Sequence, residues 1–274
     1  METTVLSFCN QKGGVGKTST TALVSYNLAK QGYKVLDIDF DPQANLTSLM
    51  VLTKIKRNKG TNSDDITVKS LMNAIKTNRD LNEIKINILP NLDLIPTSAG
   101  FSLYGRFLDS EFQTEEEKVT YFSKLIEKYF KGKYDFIFLD VPPTFGLSND
   151  SAFYACDQLM IVLQTQALAL EGAEVLVPYI QKNLIDSFDA KVDILGIVPV
   201  LSKRGAKVDN VILKSAKEKF GEETLFKTKI HAMERVKRMY MTGITDNPRD
   251  TWDKRTHKPF IEVGKEMIAR LNKE

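Results

Sequence analysis

The stretch Gln11-Lys12-Gly13-Gly14-Val15-Gly16-Lys17-Thr18-Ser19 follows an apolar run at 5–9 and precedes a helix-like segment at 18–30. A strand, a glycine-rich loop and a helix in this order form the context that a phosphate-binding loop requires. The glycines let successive backbone N–H groups turn toward phosphate oxygens, and the start of a helix favours an anion. This stretch therefore predicts a nucleotide phosphate site whose contacts run from Lys12 to Ser19.

Within this loop, the residue types predict separate roles. Lys17 is expected to reach the β- and γ-phosphates, and the Thr18 hydroxyl is expected to bind Mg²⁺. The usual pattern has a glycine five places before Gly16, but this chain has Gln11 there, and a second lysine, Lys12, stands directly before the glycines. The loop is therefore a variant of the common phosphate-binding pattern.

Two acidic strand ends extend the predicted site. Asp39 and Asp41 occupy alternate positions after the apolar strand at 34–40, so they lie on one side of the chain. A second apolar strand, at 135–140, ends in Asp140 and is followed by Pro142 and Pro143. Carboxylates at the mouth of a parallel sheet can hold Mg²⁺ or orient a water toward the γ-phosphate. Asp39 and Asp140, with Thr18, are the predicted metal residues.

The rest of the chain alternates short apolar runs with amphipathic segments of helical length. Such alternation predicts an α/β fold, a doubly wound and mostly parallel sheet flanked by helices, with ligands at the C-terminal ends of the strands. No long linker divides the sequence, so we expect residues 1–274 to form one domain. The predicted strands lie at 5–9, 34–40, 92–96, 135–140, 158–164, 192–200 and 225–230. The predicted helices lie at 18–30, 67–76, 115–130, 171–185, 209–220 and 260–271.

Three motifs of this chain resemble those of the ParA/MinD family of P-loop ATPases, which are also called the deviant Walker A or SIMIBI type. They are the box Lys-Gly-Gly-x-Gly-Lys-Thr and the segments Asp41-Pro42-Gln43 and Asp140-x-Pro142-Pro143. The segments at 92–99, 169–172 and 196–201 are similar to further family motifs, and the resemblance runs from about residue 2 to about residue 240. It is most specific to the partition ATPases of the short kind, which lack an N-terminal helix-turn-helix domain.

The resemblance implies a function and several residue roles. ATP and Mg²⁺ are the expected cofactors, and Lys12 would reach across a homodimer to the partner's nucleotide. Asp41 would position the attacking water, which makes Lys12, Lys17 and Asp41 the expected catalytic residues, while Pro199 and Leu201 would line the adenine pocket. The implied protein is cytoplasmic and nucleoid-associated. It hydrolyses ATP slowly, binds DNA without sequence preference, and is stimulated by a centromere-binding, ParB-like partner.

Charge is distributed unevenly along the chain. The net charge is +3, but residues 201–274 carry 18 Lys and Arg against 11 Asp and Glu. A basic face in the C-terminal third would meet nucleic acid or an acidic membrane, and a solvated helix exterior is an equally open interpretation. The candidate DNA contacts are Lys203, Arg204, Lys207, Arg235, Lys237 and Arg238.

Other features narrow the function class. The two cysteines, Cys9 and Cys156, show no metal-ligand spacing, so they are expected to be reduced core residues rather than cluster ligands. No apolar run approaches the length of a membrane span, and the mixed charge of the helix at 260–271 favours packing over membrane anchoring. A MinD-like positioning ATPase and a metabolite-coupled ligase or kinase stay open as alternatives. We expect surface loops at 54–65 and at 242–259, the latter with the single tryptophan.

Overall fold

The computed structural model describes residues 2–58, 68–202 and 207–273. Within them the chain alternates strands and helices, as the sequence pattern predicts. The strands are β1 (Thr4–Cys9), β2 (Val35–Asp39), β3 (Ile86–Leu89), β4 (Leu92–Ile95), β5 (Phe136–Asp140), β6 (Gln158–Gln164), β7 (Asp193–Ser202) and β8 (Ile230–His231). The helices are α1 (Lys17–Lys30), α2 (Asn45–Arg57), α3 (Leu71–Lys76), α4 (Tyr104–Glu111), α5 (Glu115–Tyr129), α6 (Leu147–Tyr154), α7 (Ala167–Ile180), α8 (Asp186–Phe188), α9 (Lys207–Phe220), α10 (Glu234–Thr242) and α11 (Thr251–Leu271).

The strands form one sheet in the order β3-β4-β2-β5-β1-β6-β7-β8. Every described pairing is parallel except that of β3 with β4. The central strands β1, β2, β5 and β6 are almost wholly buried, because helices cover both faces of the sheet. The predicted fold class is therefore confirmed. The arrangement brings the C-terminal ends of β1, β2 and β5, which are neighbours in the sheet, to one edge.

The C-terminal segment differs from the sequence prediction. Helix α11 begins at Thr251, not near residue 260, so the predicted loop at 242–259 is wrong from Thr251 onward. The Asp250 side chain accepts a hydrogen bond from the Trp252 N–H and caps the helix, and Pro259 lies inside it. A capped start and a long buried face stabilise this helix despite the proline, which usually marks a helix boundary.

Two other predicted segments also differ from the structure. The predicted loop at 54–65 is wrong for residues 54–57, which belong to α2, and residues 59–65 lie outside the described part. The predicted strand at 225–230 shrinks to Ile230–His231, because the chain before it meets β7 only at an isolated bridge between Ile197 and Leu225. The antiparallel strand β3 and helices α2, α4, α6, α8 and α10 are not among the predicted elements.

Helix α11 packs against α1 through a continuous apolar face. Phe260, Val263 and Met267 are fully buried there, and the Gly264 backbone lies close to Leu28 of α1. The helix thus packs within the fold, mainly on α1 rather than on the sheet. Cys9 and Cys156 are free and buried, as expected of reduced core residues. Among the described residues, no helix is long and apolar enough to cross a membrane.

Candidate nucleotide-binding site

The glycine-rich loop connects the end of β1 to the start of α1. Gly14 and Gly16 have φ values of 76° and 93°, which side chains other than glycine rarely adopt. Their open surroundings leave the loop backbone accessible to a ligand. The N–H and hydroxyl of Thr20 both bond to the Gly16 carbonyl, which fixes the first turn of the helix beneath the loop. The local sequence therefore builds a rigid backbone cradle at a helix N-terminus, a favourable place for phosphate.

Lys17 lies under this cradle and is buried. Its Nζ donates to the carbonyls of Asn10, at 3.2 Å, and Lys12, at 3.4 Å. Burial lowers the pKa of Lys17, and the charge of Asp140 opposes that shift. An ammonium carries three protons, so this geometry leaves Lys17 a donor for an anion bound in the cradle.

Lys12 is held by its backbone rather than by its side chain. The Lys12 N–H donates to Asn10 Oδ1 at 2.9 Å, and Asn10 Nδ2 donates to the carbonyls of Val162 and Ala169. At Gly172 of α7, a Cβ atom would lie 2.5 Å from Asn10 Oδ1, so only glycine allows this close approach. The Lys12 ammonium makes no ion pair with a described residue, which leaves its charge for an external partner. The contacts of Asn10 are absent from the sequence predictions.

Asp39 and Asp140 are direct neighbours across the β2–β5 pairing, and both are buried. Asp39 Oδ2 accepts hydrogen bonds from the N–H and the hydroxyl of Thr47, both at 2.7 Å, and Asp39 Oδ1 accepts one from the Asp41 N–H. Burial raises the pKa of Asp39 to about 6, and the Thr47 bonds oppose the rise. Asp39 is therefore an anchor for the loop and helix that follow it.

Asp140 differs from Asp39 because neither of its carboxylate oxygens accepts a hydrogen bond of ordinary geometry from a described residue, and only the nearby Thr18 hydroxyl and the charge of Lys17 favour its ionised form. Burial, followed by the charge of Asp39, raises the pKa of Asp140 well above its usual range. A buried carboxylate without a donor is costly unless a cation or a proton neutralises it. The donor set therefore fits a cation close to Asp140.

The glycine-rich loop and Lys17 line a cleft of about 410 Å³ at the C-terminal edge of the sheet. Asp41 is half-buried there, and its Oδ1 accepts a hydrogen bond from the Gln43 N–H at 2.9 Å. The cleft brings Asp41 together with the predicted loop residues and adds three side chains that the sequence predictions do not include. The complete lining is Gly13, Gly14, Gly16, Lys17, Thr18, Ser19, Asp41, Asn45, Pro143 and Tyr240.

A second, mainly apolar cavity of about 250 Å³ adjoins the cleft. Leu201 lies in its wall, as the prediction of a base pocket requires, and Leu201 has a left-handed backbone at φ 53°. Pro199 is buried in β7 and is not part of this wall, where Val200 and Leu201 follow it. The remaining wall residues are Gly14, Gly16, Ser19, Thr20, Ile230, His231, Met233, Val236, Lys237, Tyr240 and Phe260.

The loop after β5 is tied to both of its neighbouring helices. Asn149 of α6 donates through Nδ2 to the carbonyls of Pro142 and Thr144. Phe145 packs on Tyr179 of α7 with ring centroids 4.1 Å apart, and the Tyr179 hydroxyl donates to Asp150. Helix α7 therefore contacts the glycine-rich loop through Gly172 and the loop after β5 through Tyr179.

The candidate DNA residues have different surroundings. Lys207, Lys237 and Arg238 are exposed on α9 and α10, whereas Arg235 pairs at 2.7 Å with both Asp250 and Asp253. These two ion pairs join α10 to α11. The Arg235 guanidinium is therefore already paired within the protein and is not free to contact a DNA phosphate, contrary to the sequence prediction. Lys203 and Arg204 lie outside the described residues.

Comparison with known proteins agrees with this architecture. The sequence model of a family described as an AAA domain matches residues 3–194. The chromosome-partitioning ATPase Soj of Treponema pallidum is 28% identical over 267 residues, which cover 97% of each chain. The virulence plasmid ParA family protein pGP5-D of Chlamydia psittaci is 31% identical over 195 residues, 70% of this chain and 67% of that protein.

A solved structure also shares the fold. An ATP complex of a McdA variant from Cyanothece superposes with a TM-score of 0.80 at 22% identity, covering 97% of this chain and 96% of that one. The family match and the relatives extend over most of the chain and include the glycine-rich loop and both acidic strand ends. The protein therefore belongs to the ParA-type family of P-loop AAA-domain proteins.

Proposed function

We propose that this protein is a partition ATPase that binds ATP and Mg²⁺, dimerises with ATP bound, binds DNA without sequence preference and hydrolyses ATP slowly. The observation that carries the proposal is the cleft lined by the glycine-rich cradle and the buried Lys17, with the buried carboxylate of Asp140 beside Lys17 and Thr18. The relatives are named as partition proteins, which supports the same biological role.

Residues of the cleft have complementary roles in this proposal. The loop N–H groups and Lys17 bind the phosphates, and Asp140 with Thr18 holds Mg²⁺ beside them. The described residues contain no cluster of three acidic, histidine or cysteine side chains able to hold a metal. This suits Mg²⁺, which commonly uses one or two carboxylates together with substrate phosphates. Bound Mg²⁺ neutralises charge on the β- and γ-phosphates.

Asp41 is the proposed water-positioning residue, and Asp39 supports it. The Asp41 carboxylate lies in the cleft, and its backbone is held by Asp39, which is itself fixed by Thr47. Asp41→Ala should keep Mg·ATP affinity within about twofold but lower the hydrolysis rate by roughly 10²-fold or more. Asp135→Ala, at the opposite end of β5, is the control. Hydrolysis by Asp41→Ala at the wild-type rate would contradict the role.

Lys12 is the proposed contact to the second subunit. Lys12 is half-buried in the glycine-rich loop and its ammonium has no ion pair with a described residue, so it can supply charge to a nucleotide held by a partner. Lys12→Ala should bind Mg·ATP but remain monomeric in sedimentation experiments, whereas Lys17→Ala should fail to bind. Lys34→Ala, an exposed lysine at the opposite sheet edge, should dimerise normally. A normal ATP-dependent dimer of Lys12→Ala would refute this step.

DNA binding is proposed for the exposed cations of α9 and α10. Doubling these residues in a dimer would increase counterion release and therefore affinity for duplex DNA. We expect salt-sensitive binding to random-sequence duplex with Mg·ATP, and none with ADP or without nucleotide. Replacing Lys237 and Arg238 by alanine should weaken binding and reduce the salt slope without changing ATP affinity.

Replacing Lys124 and Lys128 on α5 removes the same charge from a different helix and is the matched control. Equal loss of DNA binding in both double variants would show that net charge, not this surface, controls affinity. A ParB-like, centromere-binding partner is the proposed stimulator of hydrolysis, in line with the family relatives.

The structure favours this proposal over a MinD-like membrane ATPase. A helix that anchors to lipid needs an available apolar face. In α11, Phe260, Val263 and Met267 are buried in the core, so that face is already occupied. The proposal therefore includes no membrane contact.

A further inference from the structure

Tyr240 of α10 stands between the phosphate cleft and the apolar cavity. Both spaces have Tyr240 and Ser19 in their walls, together with Gly14 and Gly16. The Tyr240 hydroxyl lies 3.1 Å from Ser19 Oγ, in the first turn of α1. The two hydroxyls therefore form a polar contact where a charged space meets an apolar one.

Helix α10 is fixed in this position at both ends. At its start, Arg235 pairs with Asp250 and Asp253 beside α11. At its end, the Ile244 N–H donates to Thr53 Oγ1 of α2 at 2.9 Å, and a Cβ atom at Gly243 would lie only 3.0 Å from Thr53 Cα. A side chain supported in this way is pre-organised rather than placed by chance.

We propose that Tyr240 is a positioning residue that holds the ribose of the bound nucleotide through its hydroxyl. This inference rests on the nucleotide site proposed above. A nucleoside triphosphate presents charged phosphates, then a sugar with hydroxyl groups, then a flat and largely apolar base. The protein presents the matching order: the Lys17 cleft, the Ser19–Tyr240 hydroxyl pair, and the cavity lined by Leu201.

The chemistry of the phenol suits this role. A tyrosine hydroxyl has one proton to donate and also accepts, so Tyr240 can stay bonded to Ser19 while it bonds to a sugar hydroxyl. Tyr240 is 42% exposed as a residue, and burial raises the pKa of its hydroxyl further above neutral, so the hydroxyl has a proton to donate.

The test compares ligands with and without a ribose hydroxyl. Tyr240→Phe should weaken Mg·ATP binding about 3- to 10-fold, the net value of one hydrogen bond. Binding of Mg·tripolyphosphate, which has no sugar, should be unchanged. Wild-type protein should bind either 2′-deoxy-ATP or 3′-deoxy-ATP more weakly than ATP, and Tyr240→Phe should bind that analogue and ATP equally. Tyr33→Phe, a tyrosine at the opposite sheet edge, is the matched control.

Three outcomes would overturn the inference. Tyr240→Phe could bind ATP and both analogues as the wild type does. It could also weaken tripolyphosphate as much as ATP, which would show that Tyr240 acts on the phosphate loop through Ser19 rather than on the sugar. If wild-type protein bound neither ATP nor tripolyphosphate, or if Lys17→Ala retained both, the nucleotide site itself would be refuted. Thermal melting of each variant shows that the comparison concerns folded protein.

Discussion

A methyl group added at Gly172 would lie 2.5 Å from Asn10 Oδ1 and 3.5 Å from the Lys12 nitrogen. The first distance is far inside van der Waals contact, so Gly172→Ala must displace either α7 or the Asn10 side chain. Asn10 cannot move freely, because it makes three hydrogen bonds, to Val162, Ala169 and Lys12. The substitution therefore tests how tightly α7 is joined to the glycine-rich loop.

Two opposing contributions determine how much Gly172→Ala changes the free energy of unfolding. Alanine in a helix interior is more stable than glycine by about 1 kcal/mol. Loss of the three Asn10 hydrogen bonds costs about 3 kcal/mol, at about 1 kcal/mol each. We therefore expect Gly172→Ala to reduce the free energy of unfolding by about 2 kcal/mol. Because Asn10 orients the Lys12 backbone, ATP-dependent dimerisation should weaken as well.

Gly105→Ala provides a matched control for this prediction. Gly105 also lies in a helix, α4, but its added methyl would meet Ser148 Oγ at 3.4 Å, an ordinary contact. Gly105→Ala should leave the free energy of unfolding unchanged or raise it by up to about 1 kcal/mol. Urea unfolding of both variants measures the difference. If Gly172→Ala were as stable as Gly105→Ala, the close contact between α7 and Asn10 would not exist in the molecule.

Two further predictions concern buried charge. Arg235→Ala leaves Asp253, which is 2% exposed, without its ion-pair partner. The substitution should therefore lower the free energy of unfolding by about 2 kcal/mol or more. Lys237→Ala, on the exposed side of the same helix, should change it by less than about 0.5 kcal/mol. Equal stability of the two variants in urea unfolding would contradict the structural role of Arg235. The second prediction concerns Asp150, whose pKa is raised by burial to about 6. Because ionisation of this buried carboxyl destabilises the folded state, the free energy of unfolding should fall as the pH rises from about 4 to about 6. Asp150→Asn should reduce that fall by on the order of 1–2 kcal/mol, whereas Asp186→Asn, at an exposed position, should leave it unchanged. If the free energy of unfolding of Asp150→Asn varied with pH as in the wild type, Asp150 would not be the source of this pH dependence.

The sequence predicts which residues come together at the centre of the candidate site, because the signals for them are local. Glycines at 13, 14 and 16 lie next to Lys17, within one strand-loop-helix unit whose geometry follows from chain connectivity. Asp39 and Asp140 are predicted together because apolar parallel strands end at a common edge, and the pairing of β2 with β5 places them side by side. The alternating pattern likewise indicates a doubly wound sheet, which the structure confirms.

What the sequence does not reveal depends on contacts between distant segments. The Asn10 side chain meets a carbonyl 159 positions away, and Tyr240 meets Ser19 across 221 positions. No local pattern marks either residue. The start of α11 was missed for a different reason: Pro259 usually marks a helix boundary, but burial of Thr256, His257 and Phe260 outweighs its cost.

The basic C-terminal third shows why charge counts alone cannot locate a DNA surface. Much of its positive charge serves the fold, since Arg235 joins α10 to α11 and Arg270 donates to the carbonyls of Leu195 and Leu225. Among the described residues, Lys237 pairs with the exposed Glu234 alone, an interaction of little energetic value, so its ammonium stays accessible to phosphate. The accessible cations of α10 thus share a helix with Tyr240, which touches the nucleotide cleft. In the proposed cycle, a nucleotide held at Tyr240 and DNA held at Lys237 would therefore contact the same helix, which places the two binding events on one element of the fold.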